Sequence, residues 1–169
     1  MKTIFSTLVL IFLFFTSLSA QQGFRAEIGI GTTVGDISEL HSYTLQGNLY
    51  YLWDVAKNID FGFTSGALVF LGNASADSCD GCFFDDYEAE LHIPIALASR
   101  VNLSNRFSLG LDTGYALYIH IFDSGGGFYF RPVIAYHIKN KIALTASYAN
   151  IYSSGYSSSS INIGVNFGF

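Results

Sequence analysis

The sequence predicts an all-β chain, an eight-stranded antiparallel up-and-down transmembrane β-barrel. Three observations predict it. First, Ser159 to Phe169 alternate strictly. Ile161, Ile163, Val165, Phe167 and Phe169 fall on one face of an extended strand, and Asn162, Gly164, Asn166 and Gly168 on the other. Lipid covers such an apolar face naturally when the sheet closes and leaves no edge. Second, the chain is 50% hydrophobic and 17% aromatic but only 12% charged, against about 25% charged in ordinary globular domains. Past the first 20 residues, no apolar run reaches the roughly 20 residues of a membrane helix. Third, short polar turns and mostly longer connections alternate along the chain, the asymmetry expected of membrane barrels.

Met1–Ala20 reads as a cleaved secretory signal. Lys2 precedes an apolar run from Ile4 to Phe15, and Leu18-Ser19-Ala20 offers a small residue for cleavage before Gln21. Residues 21–169 then form one domain. Lys2 leaves with the signal, so the eight basic residues become seven against 13 acidic ones. That balance, with no basic cluster, argues against a nucleic-acid partner.

The strands follow in order from a period of two. They are expected at Phe24–Val34, Ser42–Trp53, Ile59–Leu71, Tyr87–Val101, Phe107–Phe122, Gly127–Ile138, Ile142–Tyr152 and Ser159–Phe169. Asp54–Asn58, Asn102–Arg106 and Lys139–Lys141 supply the short polar turns, expected on the periplasmic side. Gly35–His41, Gly72–Asp86, Asp123–Gly126 and Ser153–Ser158 supply the outer connections. An even strand count returns both termini to one side. Pro94 and Pro132 fall inside strands, where a missing N–H interrupts a ladder, and are read as bulges or local bends.

One parity of these strands is almost wholly apolar, running from Ile28 and Ile30 through Leu49, Phe63, Ile95, Leu117 and Ile134 to Ile163. The other parity holds Arg25, Glu27, Asp60, Glu88, Glu90, His92, Arg100, Asp112, His120, Arg131 and His137. An Arg or Lys on the lipid face costs about 2–4 kcal/mol at mid-membrane, so the charged parity is assigned to the lumen. Eight strands leave no room for a water channel. The inward charges are therefore expected to pair with one another. Outward aromatics form two girdles, with Tyr51, Trp53, Phe61, Phe107, Tyr136, Phe167 and Phe169 at the turn side. Tyr43, Tyr87, Phe128, Tyr148 and Tyr152 lie at the other.

Together these features resemble the small Gram-negative outer-membrane barrels of the OmpX and OmpA-membrane-domain type, over the whole chain after the signal. The strand ending in Phe167 and Phe169 resembles their assembly signal. The resemblance implies residence in the cell outer membrane, contact with outer-membrane lipid, and handling by the barrel-assembly machinery during biogenesis. It implies a monomer with a role in surface interaction or envelope integrity rather than transport.

Candidate chemistry is sparse, and no cofactor is expected. Cys79-Asp80-Gly81-Cys82 lies in the longest connection. CxxC serves as a redox dithiol, half a zinc site or a small disulfide ring. An oxidising compartment favours a disulfide between Cys79 and Cys82. Asp77, Asp80, Asp85 and Asp86 make this connection acidic without fitting an EF-hand, and Phe83-Phe84 suits rim packing or an extracellular partner reached through residues 72–86. His41 and the serines at 153, 154 and 157–160 read as solvated loop residues.

Two alternatives stay open. An outer-membrane lipid-modifying enzyme would resemble PagL or PagP. However, the His-x-Ser spacing of a PagL-like site is absent after His120, which Ile121 and Phe122 follow. A soluble lipocalin-like barrel would keep the strand count and invert the faces.

Overall fold

The computed structural model describes residues 23–39, 41–72, 89–119, 124–139, 141–153 and 156–169. Its strands are β1 (Phe24–Val34), β2 (His41–Ala56), β3 (Ile59–Gly72), β4 (Glu90–Asn102), β5 (Phe107–Ile119), β6 (Ser124–Lys139), β7 (Ile142–Ser153) and β8 (Tyr156–Gly168). Each pairs antiparallel with its sequence neighbour, and β1 pairs with β8 to close the barrel. The short turns and the outer ends of β1 and β8 mark a turn end. The other four connections, of which β7–β8 is as short as two residues, mark a loop end.

The register sets the cylinder's shape. Following paired residues from Phe24 through Tyr51, Phe63, Leu97, Thr113, Phe130, Asn150 and Ser159 returns to β1 at Val34, ten residues further along. For eight strands at ordinary spacing and rise, that stagger tilts them by roughly 40°. A 13-residue strand such as β4 then rises roughly 33 Å along the axis, enough to cross the apolar band of about 25 Å.

The alternation divides the faces as the sequence predicts. Ile28 and Ile163 are each 64% exposed, while Arg131 and Phe70 are fully buried. An inverted, ligand-holding barrel would show the opposite. At the turn end Trp53 stands against Tyr51 and Phe63, with ring centroids 5.4 and 5.6 Å apart, and Phe107 against Tyr136 at 5.0 Å. Tyr43, Phe128, Tyr148 and Tyr152 stand exposed toward the loop end.

Several expectations need correction. Neither Pro94 nor Pro132 is a bulge. The β4–β5 and β5–β6 ladders pass through them unbroken. Each proline instead leaves two successive pairs unmade on its other side, in β3–β4 and β6–β7, with the register unchanged. The register shifts lie elsewhere, at His41/Tyr43, Asp54/Ala56 and His137/Lys139. The missing N–H therefore removes local pairing without inserting a residue.

The segment after β1 is not simple loop. Gly35, at φ +76°, turns the chain into a 3-10 helix, Gly35–Glu39. That helix drops Ile37 into the barrel's outer mouth, 1% exposed, among Leu68, Phe70, Tyr129 and Ile151. His41 is buried at the start of β2, and Ser157–Ser160 belong to β8 rather than to a solvated loop. Ser158, Ser159 and Ser160 are buried. Asn150 Nδ2 donates to Ser157 Oγ at 2.5 Å and Ser159 Oγ at 2.7 Å, and the Tyr148 hydroxyl donates to Ser159 at 3.0 Å. Polar side chains satisfied in this way extend a strand that hydrophobic alternation alone would have ended.

Candidate functional site

The lumen is where the sequence placed its chemistry, and its centre is an ion network. β1 contributes Glu27, β4 Arg100, β5 Asp112 and β6 Arg131, all inward by strand parity and all buried. Arg131 Nη2 donates to Glu27 Oε1, and its Nη1 donates to Asp112 Oδ2 at 3.1 Å and to the Tyr50 hydroxyl at 2.5 Å. Arg100 Nη1 donates to Asp112 Oδ1 at 2.6 Å. Two carboxylates therefore meet two guanidinium groups, and the centre is electrically balanced. Charges taken out of water demand this combination of balance and hydrogen bonding.

Tyr50 binds the cluster together. Its hydroxyl accepts from Arg131 and donates to Glu27 Oε2 at 3.2 Å, and the Arg100 guanidinium lies 5.1 Å from its ring centroid. Sequence reasoning missed Tyr50 because Leu49-Tyr50-Tyr51-Leu52 hides the alternation. The available signal was its even numbering, shared with inward Gln46 and Asn48.

Room for this cluster comes from a small residue. Arg100 pairs across the ladder with Gly110. A Cβ there would lie 2.5 Å from Arg100 Cδ and 2.7 Å from Nε. Gly110→Val is therefore expected to cost about 1–3 kcal/mol through overpacking, measured as a lower urea midpoint for the bilayer-refolded protein.

An apolar layer caps the network on its loop side. Ile37, Leu68, Phe70, Ala96, Ala116, Tyr129, Ala149 and Ile151 close it toward the loop end, Ala98 lies level with Asp112, and Leu52 lies beyond Tyr50 toward the turn end. A cavity beneath the network, beside Tyr50 and Asp60, holds only about 20 Å³, on the order of one water.

The remaining described charges of the predicted set sit at the two mouths. At the loop end Glu90 Oε2 lies 3.4 Å from His92 Nε2. His92 lies between Phe70, which it meets edge-on, and Tyr118, to which it is tilted, at centroid distances of 5.4 and 5.1 Å. These groups border a pocket of about 290 Å³ with Ser153 and Ser158, yet no described serine hydroxyl hydrogen-bonds to His92. At the turn end Asp60 accepts from Asn102 Nδ2 at 3.3 Å, and His137 Nε2 lies 3.1 Å from Ser108 Oγ. Arg25 reaches this mouth without an ion-pair contact among the described residues. The expected single network is thus a central four-charge cluster with separate groups at each mouth. Glu88, His120, Cys79 and Cys82 lie outside the described residues. Phe167 continues the outward face of β8, and Phe169 packs on Phe24 with centroids 5.5 Å apart.

An open groove of about 850 Å³ on the outward wall, around Gly47 between Ile28, Leu45 and Val69, is mostly apolar, with Gln46 and Thr145 at its floor.

No family model and no curated protein matches the sequence. Solved structures do match. The outer-membrane protein Ail of Yersinia pestis in a phospholipid nanodisc is 15% identical, with a TM-score of 0.55, covering 88% of this chain and 100% of that one. A crystal structure of Ail with the heparin analogue sucrose octasulfate is 16% identical, with a TM-score of 0.51 and the same coverage. The N-terminal barrel of Pseudomonas aeruginosa OprF is 11% identical, with a TM-score of 0.50, covering 88% of this chain and 98% of that one. At such identities the likeness concerns architecture, and the chain has the fold of the small eight-stranded outer-membrane β-barrels.

Proposed function

We propose that this chain is a monomeric protein of the Gram-negative outer membrane, exported through cleavage after Ala20. Its lumen is sealed, and its loop end serves surface interaction or envelope integrity without catalysis or transport. The observation that carries this reading is the filled lumen. The buried cluster of Glu27, Arg100, Asp112 and Arg131, capped on the loop side by an apolar layer, occupies the middle of the lumen. Planar-bilayer recordings of the refolded protein are expected to show only small, irregular events. Large, stable conductance steps would refute the sealed lumen.

Charge also narrows the class of partner. Asp36, Glu39, Asp77, Asp80, Asp85, Asp86, Glu88, Glu90 and Asp123 fall at the loop end or in its connections, with no Lys or Arg among them. A polysulfate of the kind bound to Ail in its crystal would meet carboxylates at this end and no cation. A basic partner, reached through residues 72–86 with Cys79 and Cys82 joined, suits this end better. Cell fractionation with protease treatment of intact cells tests the location. Membrane-bound protein cut within residues 72–86 supports the reading, and soluble periplasmic protein refutes it.

A further inference from the structure

The opposite end carries the complementary charge. Apart from Arg100 and Arg131 in the network and Lys2 in the leader, the chain's basic residues are Arg25, Lys57, Arg106, Lys139 and Lys141, all at the turn end. Four of them, Arg25, Lys57, Arg106 and Lys139, line one concave cup of about 690 Å³ at the barrel's mouth, and no carboxylate lines it. None of the four is in ion-pair contact with a described carboxylate. Asp54 and Asp60 also lie at this end, and Asp60 faces Arg25 electrostatically, but in a chain with a formal charge of −5 the segregation of Lys57, Arg106 and Lys139 still concentrates positive field at this mouth.

The cup is held in shape. Asn102 N–H donates to the Asn58 carbonyl at 2.8 Å, and His137 N–H donates to the Arg106 carbonyl at 2.7 Å. These bonds tie the β2–β3 turn to the end of β4, and the β4–β5 turn to β6. The Asn58 and Asn105 side chains add polar lining between the cations.

Its lip is apolar. Leu103 and Ile138 border the cup and are 61% and 53% exposed. They stand beside the Phe107–Tyr136 pair of the aromatic girdle, the level at which headgroups meet hydrocarbon. A soluble anion has no use for such a lip. A lipid does, because its phosphate enters the cup while its acyl chains cross Leu103 and Ile138 into the bilayer.

We propose that this cup binds the phosphate of an anionic phospholipid headgroup in the periplasmic leaflet. The site rests on the membrane reading above, which sets the height and orientation of the turn end. A lysine or arginine near an anionic leaflet contributes about fivefold in affinity, so loss of three cations costs about 100-fold.

The test compares the full mature chain with Lys57→Gln/Arg106→Gln/Lys139→Gln. These side chains are exposed and stand outside the lumen network, so folding is expected to survive, scored by heat-modifiable gel mobility. Both proteins are placed in nanodiscs of phosphatidylcholine, with or without phosphatidylglycerol, and retained lipid is counted by native mass spectrometry. A third arm adds inorganic phosphate to phosphatidylcholine discs and follows displacement of the urea midpoint. The expected result is selective retention of phosphatidylglycerol by the wild-type chain, weakened about 100-fold in the triple variant, with no response to inorganic phosphate. Equal retention of both lipids, or an unchanged triple variant, overturns the site. Protection by inorganic phosphate equal to that by phosphatidylglycerol overturns the lipid as its ligand. A chain that enters neither disc overturns the membrane reading and the site with it, a result distinct from insertion without selectivity.

Discussion

Replacing Arg131 by methionine is expected to destabilise the barrel by about 3–5 kcal/mol, the cost of leaving buried charge uncompensated. Arg131 is fully buried and meets both Glu27 and Asp112, so its loss leaves two carboxylates against the single guanidinium of Arg100. The diagnostic comparison is Arg131→Met with Glu27→Gln added. The second change restores neutrality, since Asp112 keeps Arg100 at 2.6 Å. The double variant is therefore expected to be more stable than Arg131→Met alone, a strongly non-additive cycle. Urea unfolding in lipid vesicles, followed by the fluorescence of the chain's single tryptophan, Trp53, reads the effect. If the two changes simply summed, Arg131 and Glu27 would not be acting as a pair.

Ile28→Arg is expected to cost about 2–4 kcal/mol in a bilayer, the cost of a cation at mid-membrane depth on a lipid-facing barrel wall. Ile28 sits in the middle of β1, 64% exposed and paired with Gly47 and Val165. In water an arginine there would be tolerated, because surface substitutions usually change stability by less than about 0.5 kcal/mol. The same change at Val55, equally exposed at 67% but in the last turn-side residues of β2, is expected to cost about 0–1 kcal/mol near the interface. A depth-dependent cost distinguishes hydrocarbon from water. Equal costs at the two positions would mean that the wall does not face a bilayer.

Much of this architecture was legible because an apolar outward face and a filled lumen enforce one rule on every residue of a strand. β1 was read at Phe24–Val34, as the structure has it, since each inward polar residue is followed by an outward apolar one. The rule weakens where another interaction satisfies the side chain. Ser157 and Ser158 fell outside the expected last strand because serines carry no alternation, yet Asn150 satisfies the Ser157 hydroxyl and bonds Ser159 beside it. Gly125 and Gly126 likewise extend β6 with no side chain to report a face. Ile37 was unreadable for a different reason. One apolar residue in a five-residue segment has no period, and only the closed mouth shows why it turns inward.

The candidate site was legible as a set of residues and not as an arrangement. Parity alone put Glu27, Arg100, Asp112 and Arg131 in the lumen. Their grouping follows from the stagger, which decides the height at which residues of different strands meet. Asp112 pairs with Arg131 across β5–β6, whereas Glu27 reaches Arg131 across the lumen. The cationic cup was missed because its members are scattered, from Arg25 to Lys139, and form no run in sequence. Only closure of the barrel brings those positions to one mouth.

Whether the apolar wall faces hydrocarbon is read most simply from tryptophan depth. In a Trp53→Phe background, Ile28→Trp is placed in bilayers whose lipids carry bromine at defined depths. A wall facing hydrocarbon gives strongest quenching by bromine deep in the acyl chains for Ile28→Trp, and strongest quenching near the headgroups for Trp53 in the unaltered chain. Ile28→Trp fluorescence untouched by brominated lipid, in a chain that migrates as folded, would contradict it.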